Sequence, residues 1–221
     1  MPPEKRPRRE TKTVAVVVPC TAKHVGHVPE LLKAYENQTR LPNEVILTLS
    51  GSPTSPQFQS SRFRVTILHD PRPKNAAENR NRAAPHVTAD VVIYQDADDV
   101  PHAQRVELIG AAFETFAIDH LMHRFECEPQ TSTWRLSRNA VHTAMALCRA
   151  QPIYKSELWL TNGNPAVSRT LLSLVSWPGD RRIGEDIAFN TSACRVSRGR
   201  NVILPLPLLL YRQRLSATNN R

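Results

Sequence analysis

The chain has 221 residues, 40% of them apolar, and a formal net charge of +9. This length suits one α/β domain, or one domain with a small appendage. No stretch approaches the roughly 20 apolar residues of a membrane span. The four cysteines are scattered, which argues against a disulfide framework and a zinc site and favours a reduced, cytoplasmic compartment.

The first twelve residues, MPPEKRPRRETK, hold part of the positive charge in a proline-rich run. Runs of this composition bury too little apolar surface to fold, so residues 1–12 are predicted to be a disordered tail. Residues 13–221 then form a single domain. A solvated tail is the simplest interpretation, and loose association with anionic lipid is the alternative.

Strands and helices alternate in the first half of the chain. Apolar, β-branched runs predict strands at 13–19, 44–50, 64–70 and 89–99. Apolar residues at helical spacing predict helices at 28–38, 78–86 and 103–116. This order predicts an α/β fold with a mostly parallel, Rossmann-type sheet and helices on both faces.

The pattern weakens after residue 117. A strand is predicted at 120–126, and helices are predicted at 137–151, 168–175 and 185–195. The last apolar run, VILPLPLLLY at 202–211, contains Pro205 and Pro207, which lack the backbone N–H of a sheet ladder. We therefore interpret this run as a strand followed by a loop.

Three carboxylates follow the apolar run VVIY in the segment QDADD at 95–99. Ligand sites of open α/β sheets lie beyond the carboxyl ends of the strands, where these acids stand. Like charges this close need a positive partner, and a divalent cation such as Mn²⁺ or Mg²⁺ is the simplest one. If the strand continues, Asp96 and Asp98 project to the same side, and Asp99 faces a backbone amide or an arginine.

Five segments occur in an order known from one enzyme family. They are VAVVVPCTA at the first strand, AYENQTRLPNEVIL at 34–47, NAAENRNRAAPHVTADVVIYQDADD at 75–99, NGNPAVSRTLLSLVSWPGDRRIGEDIAF at 162–189 and LLLYRQRLSAT at 208–218. Together they resemble the family 2 glycosyltransferases, which have the GT-A fold. The most specific part is the block ending at Asp99, in which Arg80-Asn81 and Asp96-Ala97-Asp98-Asp99 match position for position.

The resemblance implies a nucleotide-sugar-binding half at 13–116 and an acceptor-side half at 117–221. Asp96 and Asp98 would bind the Mn²⁺ or Mg²⁺ that bridges the donor diphosphate. Asp186, in the segment Gly184-Glu185-Asp186, would take the proton from an acceptor hydroxyl in an inverting displacement. The implied contacts to the nucleotide-sugar are Pro19, Thr21, Ser50, Arg80, Asp96, Ala97 and Arg214.

The same resemblance implies a nucleotide-sugar donor and a glycan, glycoprotein or glycolipid acceptor.

Two positions depart from the family pattern. Ser50 ends the second strand where the family has an acid that contacts the base or ribose, which leaves the nucleotide open. Arg214 stands where the family has a closing histidine, and arginine pairs with phosphate rather than with a cation. A catalytically inactive nucleotide- or glycan-binding relative is therefore an alternative.

Other function classes also fit part of the sequence. A haloacid-dehalogenase-like phosphatase would use Asp96 as nucleophile and Asp98 as acid, but its acidic strand comes first and Asp99 stands where that family has Thr or Val. A basic nucleic-acid-binding module would suit the net charge. The sequence has no aromatic–basic RNA motif and no zinc finger, so no specific nucleic acid partner is expected.

Overall fold

The computed structural model describes residues 11–127, 138–147, 163–180 and 183–212. Its strands are β1 (Val14–Thr21), β2 (Glu44–Ser50), β3 (Arg64–Asp70), β4 (Val91–Tyr94), β5 (Val100–Pro101), β6 (His120–Cys127), β7 (Ala166–Ser168) and β8 (Asn201–Tyr211). Its α-helices are α1 (Val28–Glu36), α2 (Ala76–Ala83), α3 (Arg105–Thr115), α4 (Arg138–Leu147), α5 (Arg169–Leu172) and α6 (Glu185–Val196). Within the described ranges, every helix is too short or too polar to cross a bilayer.

These strands form one sheet in the order β3-β2-β1-β4-β7-β6-β8-β5. β3, β2, β1 and β4 are parallel to one another, and so are β6 and β8. β7 is antiparallel to both of its neighbours, and β5 is antiparallel to β8. The mostly parallel α/β sheet predicted from the sequence is therefore confirmed. Because β1 and β2 are covered on both faces, their sequences are continuous apolar runs.

Helices cover both faces of the sheet, as predicted. On one face, α1, α3 and α4 pack on a core that includes Val14, Val16 and Val18 of β1. On the other face, α2, α5 and α6 pack on a core that includes Val17. Successive side chains of a strand point to opposite faces, so β1 joins the two cores at the centre of the molecule.

The fourth strand is shorter than the sequence predicts. β4 ends at Tyr94, and Asp99 donates its N–H to the carbonyl of Asp96 at 3.3 Å, so residues 95–99 form a turn. The expectation that Asp96 and Asp98 lie on the same side of a continuing strand is therefore wrong. The neighbouring β7 pairs only with residues 91–93, so the ladder that would extend β4 is missing on that side.

The last strand is longer than the sequence predicts. β8 continues through Pro205 and Pro207, so the expected loop is wrong. The register between β6 and β8 shifts after His123, opposite these prolines, so the missing N–H groups fall where the ladder is already irregular. β5 and β7 were not predicted, because two or three residues are too few to show a periodic pattern.

Other boundaries differ in smaller ways. The helix predicted at 168–175 is confined to the single turn of α5. Residues 1–10 of the predicted tail and residues 148–151 of the predicted helix at 137–151 lie outside the described residues. Lys12, at the end of the predicted tail, is attached to the domain, since its N–H donates to Oε1 of Glu114 at 3.0 Å and its carbonyl accepts from Arg40.

Candidate active site

The acidic loop, residues 95–99, lies at the carboxyl end of β4 in the middle of the sheet. Asp98 and Asp99 are buried, whereas the side chain of Asp96 is 26% exposed. The structure thus confirms that the three carboxylates lie at the carboxyl ends of the parallel strands, where open α/β sheets bind their ligands.

Arg80 provides the positive charge beside this loop. A capping box between Asn75 and Glu78 begins α2 and turns Arg80 inward, where its side chain is only 2% exposed. Nη2 of Arg80 donates to Oδ1 of Asp96 at 2.6 Å, and the guanidinium lies 4.2 Å above the ring of Trp177. Arg80 is therefore a buried partner of the acidic loop rather than an exposed helix residue.

Two further buried side chains fix the shape of the acidic loop. Oδ1 of Asn164 accepts the N–H of Asp96 at 2.8 Å, and Nδ2 of Asn164 lies 3.3 Å from Oδ2 of Asp99. Arg105 of α3 is fully buried and donates to the side chain of Gln95. Neither residue was predicted from the sequence. Arg105 stands in none of the quoted segments, Asn164 stands in the segment at 162–189 without an assigned role, and each contacts the loop only through the tertiary fold.

Burial dominates the electrostatics of the loop. It raises the pKa of Asp96, against the opposing effect of the Arg80 charge. It also raises the pKa of Asp99 well above its ordinary value, and the nearby Asp96 adds to that rise. The side chain of Asp98 makes no hydrogen bond or ion pair with another described residue.

The acids at the start of α6 approach the acidic loop from the second half of the chain. Gly184 has a positive φ of 75° and leads into the helix. Oε1 of Glu185 lies 3.7 Å from Nη1 of Arg80, and burial raises the pKa of Glu185. Asp186 is half-buried, and its Oδ1 accepts the N–H of Ile187 at 2.8 Å. The structure thus joins Glu185, rather than Asp186, directly to the arginine.

The other residues predicted to contact the nucleotide-sugar lie near the carboxyl ends of the same strands, and they differ in how far they are exposed to solvent. Thr21 is half-buried at the end of β1, while Pro19 and Ala97 are buried. Ser50 is fully buried, and its Oγ accepts from Nδ2 of Asn79 at 2.8 Å. The Ser50 hydroxyl is therefore already hydrogen-bonded within the protein. Arg214 lies outside the described residues.

The donor set suits a hard divalent cation. Mn²⁺ and Mg²⁺ prefer carboxylate oxygens and are commonly held by one or two of them together with substrate phosphates. Asp96 and Asp98 provide two such groups. Among the described residues, no group of three His, Cys, Asp or Glu side chains forms a site that the protein alone would complete. Carboxylates of this kind suit a cation that also takes oxygens from a diphosphate.

Comparison with known families gives one match. The family model described as glycosyl transferase family 2 matches residues 15–172, which include β1 to β7 and the whole acidic loop. The chain belongs to glycosyl transferase family 2. The match confirms the resemblance seen in the sequence and sets aside the phosphatase and nucleic-acid alternatives. No curated protein matches the chain in sequence.

Solved structures share the fold of this family 2 chain. TarS 1–349 of S. aureus, in complex with UDP, is 14% identical with a TM-score of 0.68, over 90% of this chain and 60% of that one. Mannosyltransferase PcManGT of Pyrobaculum calidifontis, with GDP-Man and Mn²⁺, is 16% identical with a TM-score of 0.58, over 95% and 59%.

A third similar structure is glucosyl-3-phosphoglycerate synthase of Mycobacterium tuberculosis with Mn²⁺, UDP and glucosyl-3-phosphoglycerate. It is 18% identical with a TM-score of 0.57, over 91% of this chain and 72% of that one. Of TarS 1–349, the family 2 chain spans about 60% of the length. These likenesses confirm the GT-A architecture.

Proposed function

We propose that the protein is a metal-dependent, inverting glycosyltransferase that moves a sugar from a nucleotide-diphosphate sugar to an acceptor hydroxyl. One arrangement carries this proposal. At the carboxyl end of β4, the buried Arg80 lies between Asp96 of the donor-side loop and Glu185 at the start of α6. Acids from the two halves of the chain therefore meet at one charge, which supports donor and acceptor sites that adjoin each other.

The donor is proposed to lie along the ends of β1 and β4. Pro19, Thr21 and Ala97 would border the nucleotide-sugar, with Ser50 supporting this edge from beneath. Arg80 and Arg214 would face its phosphates, because guanidinium groups pair with phosphate oxygens. The nucleotide ligands in the similar structures, UDP and GDP-Man, support a nucleoside diphosphate as the common part of the donor.

Asp96 and Asp98 are proposed to hold Mn²⁺ or Mg²⁺ against the donor diphosphate. When bound, the cation supplies positive charge to the leaving diphosphate. The presence of Mn²⁺ in two of the similar structures supports this assignment. Asn164 accepts the N–H of Asp96 and so keeps the backbone turn of the acidic loop fixed, which limits rearrangement on binding to the side chains.

Asp186 is proposed to act as the general base. Its carboxylate takes the proton of the acceptor hydroxyl as that oxygen attacks the sugar carbon from the side opposite the diphosphate. The new carbon–oxygen bond forms as the bond to the diphosphate breaks, so the configuration inverts without a covalent enzyme intermediate. Asp186 stands beside Glu185 in the first turn of α6, which brings it to the acceptor side of Arg80.

The acceptor is proposed to be a glycan, glycoprotein or glycolipid hydroxyl bound by the half that begins at residue 117. We also propose a cytoplasmic location, which the free thiols of Cys20 and Cys127 support. The basic run at residues 1–12 would allow loose contact with an anionic membrane surface.

Thermal shifts with UDP, GDP, CDP and dTDP, each with and without Mn²⁺, test the nucleotide site. A ligand at a hundredfold excess over its Kd adds about 2.7 kcal/mol to the stability. We expect one nucleotide to raise the Tm in a Mn²⁺-dependent way, and we expect D96A/D98A to lose that shift. A shift that survives the double substitution, or no shift with any of the four, contradicts the proposal.

A catalytically inactive nucleotide-binding relative is the second candidate. It is favoured by the pairing of Asp96 with Arg80, which occupies a proposed metal ligand, and by the engagement of Ser50 with Asn79. Release of nucleoside diphosphate from UDP-GlcNAc or GDP-mannose distinguishes the two. An enzyme releases it in a manner that requires Asp186, whereas the inactive relative binds the donor and leaves it intact.

A further inference from the structure

Arg80 has more hydrogen-bonding capacity than the described structure uses. Nη2 donates to Asp96 at 2.6 Å, but Nε and Nη1 are buried without a hydrogen-bond partner. Buried donors in native proteins are nearly always satisfied, so two nitrogen atoms without a partner on one buried guanidinium need an explanation. The carboxylate of Glu185 is 3.7 Å from Nη1, which is within ion-pair range but too long for a hydrogen bond.

The Arg80 guanidinium is buried, so leaving it without a negatively charged partner would destabilise the protein. Its side chain is 2% exposed and lies against the face of Trp177. Trp177 is itself held by stacking on Phe189 of α6, with ring centroids 4.0 Å apart. A buried charge that loses its partner strongly destabilises a protein. Separating Asp96 from Arg80 is therefore unfavourable unless another carboxylate pairs with Arg80 in its place.

Under the proposed function, on which this inference rests, Asp96 has to bind a divalent cation. We propose that Glu185 is the reserve counter-ion of Arg80 and that it allows Asp96 to exchange the arginine for the cation. In the structure, Asp96 pairs with Arg80, and Oε1 of Glu185 lies 3.7 Å from Nη1 of Arg80. In the loaded state, Asp96 faces the cation, and Glu185 closes on the unpaired Nη1.

This exchange gives Glu185 a positioning role that differs from that of Asp186. Closing on Arg80 moves the carboxylate toward the acidic loop, and Glu185 belongs to the first turn of α6 together with Asp186. Cation binding on the donor side would thus pull the start of α6, with the proposed base, toward the donor. The N-terminal and C-terminal halves of the site become coupled through one guanidinium.

The test is the Mn²⁺ affinity, read from the electron paramagnetic resonance signal of free Mn²⁺, alone and with UDP, GDP, CDP or dTDP. We expect E185Q to weaken Mn²⁺ binding at least about tenfold, which is about 1.4 kcal/mol. D180N is the matched control, since it removes one negative charge from an exposed position of the preceding segment. We expect D180N to change the affinity less than about threefold, because charges exposed to water are screened.

A double-mutant cycle with R80M identifies the mechanism. If Glu185 acts through Arg80, E185Q has little further effect once Arg80 is absent. An equal loss in the wild-type and R80M backgrounds would mean that Glu185 attracts the cation directly, which overturns the inference. Should R80M fail to fold, R80Q replaces it, since Gln keeps a hydrogen-bond donor for Asp96.

The remaining outcomes separate this inference from the proposed function. An unchanged Mn²⁺ affinity of E185Q overturns the inference and leaves the proposed function intact. A matching loss of nucleotide binding measured without Mn²⁺ would mean that Glu185 acts on the nucleotide rather than on the cation, which also overturns the inference. A wild-type protein that binds no Mn²⁺ with any of the four nucleotides contradicts the proposed function, and the inference falls with it.

Discussion

The N–H of Asp96 donates to Oδ1 of Asn164 at 2.8 Å, although 68 positions separate the two residues in the chain. Nδ2 of the same amide lies 3.4 Å from Oδ2 of Asp96 and 3.3 Å from Oδ2 of Asp99. One buried amide therefore contacts both the backbone and the carboxylates of the acidic loop. The carboxyl end of β4 depends on a side chain from the chain's second half.

Removing the Asn164 amide is expected to destabilise the protein and loosen the acidic loop. N164A leaves the Asp96 N–H without its partner, and buried groups left unpaired cost about 1–3 kcal/mol each. N164D is expected to lose more at neutral pH, because it adds a carboxylate beside Asp96 and Asp99. Urea denaturation measures both losses. The exposed Asn37 provides the control, since N37A is expected to stay within about 0.5 kcal/mol of the wild type. Equal losses in N37A and N164A would contradict this role.

Gly163 is predicted to be required for the contact between Arg80 and Asp96. Its φ is +85°, and a Cβ built there would lie 2.8 Å from Nη2 of Arg80 and 3.4 Å from Oδ2 of Asp96. Gly199 has a φ of +86° with open space around it, so G199A reports the backbone strain alone.

We expect G199A to cost about 1–2 kcal/mol from left-handed strain. G163A should cost about 1–3 kcal/mol more, because the added methyl group overpacks a filled site. G163A should also reduce the nucleotide-dependent thermal shift, whereas G199A should keep it. A G163A protein that binds nucleotide like the wild type would show that the close packing of Arg80 and Asp96 against Gly163 is not needed for binding.

Arg105 is predicted to be the main buried support of the acidic loop. It is fully buried, and Nη2 donates to the carbonyl of Tyr94 at 2.9 Å and to that of Asn164 at 3.0 Å. R105M leaves these carbonyls unpaired, and we expect a loss of about 3 kcal/mol in the free energy of unfolding. Arg72 is 80% exposed and pairs with Asp70, so R72M is the comparison, with an expected loss below about 1 kcal/mol. Similar midpoints in denaturant for the two variants would refute the assignment.

Stability is predicted to fall as the pH drops below 6.5, and His123 is one cause. Nδ1 of His123 donates to the carbonyl of Arg124 at 2.7 Å, which leaves Nε2 to accept from Arg105. Burial lowers the pKa of His123 from 6.5 to about 3, with the Arg105 charge as the second cause. As the pH falls, the unfolded chain therefore takes up the proton first, and the loss approaches about 1.4 kcal/mol per pH unit.

The free energy of unfolding measured between pH 7.5 and 4.5 tests this dependence. H123Q should flatten the slope, since glutamine offers an oxygen to Arg105 without a titrating group. His86 is exposed, so H86Q should keep the wild-type slope. An unchanged slope in H123Q would assign the pH dependence to other groups, such as the buried His120, whose pKa burial lowers to about 4.

The sequence alone determined much of the molecule because two kinds of signal are local. Continuous apolar runs such as VAVVV and VVIY predict strands buried on both faces, and the order of strands and helices then leaves few sheet topologies. The acidic loop was found in the same way, since a carboxylate cluster after a buried strand marks the ligand edge of the sheet. Arg80 and Asp96 could be assigned to one site because they stand in one family block.

Only the tertiary structure decided which charges meet. No local pattern predicts that Asn164 and Arg105 converge beneath the acidic loop, or that Glu185 shares Arg80 with Asp96. Such contacts join residues that are distant in the chain, and their strength depends on burial, which arises only when the layers pack. Composition and periodicity thus set the elements and the edge of the site, whereas long-range packing set the partners of each buried charge.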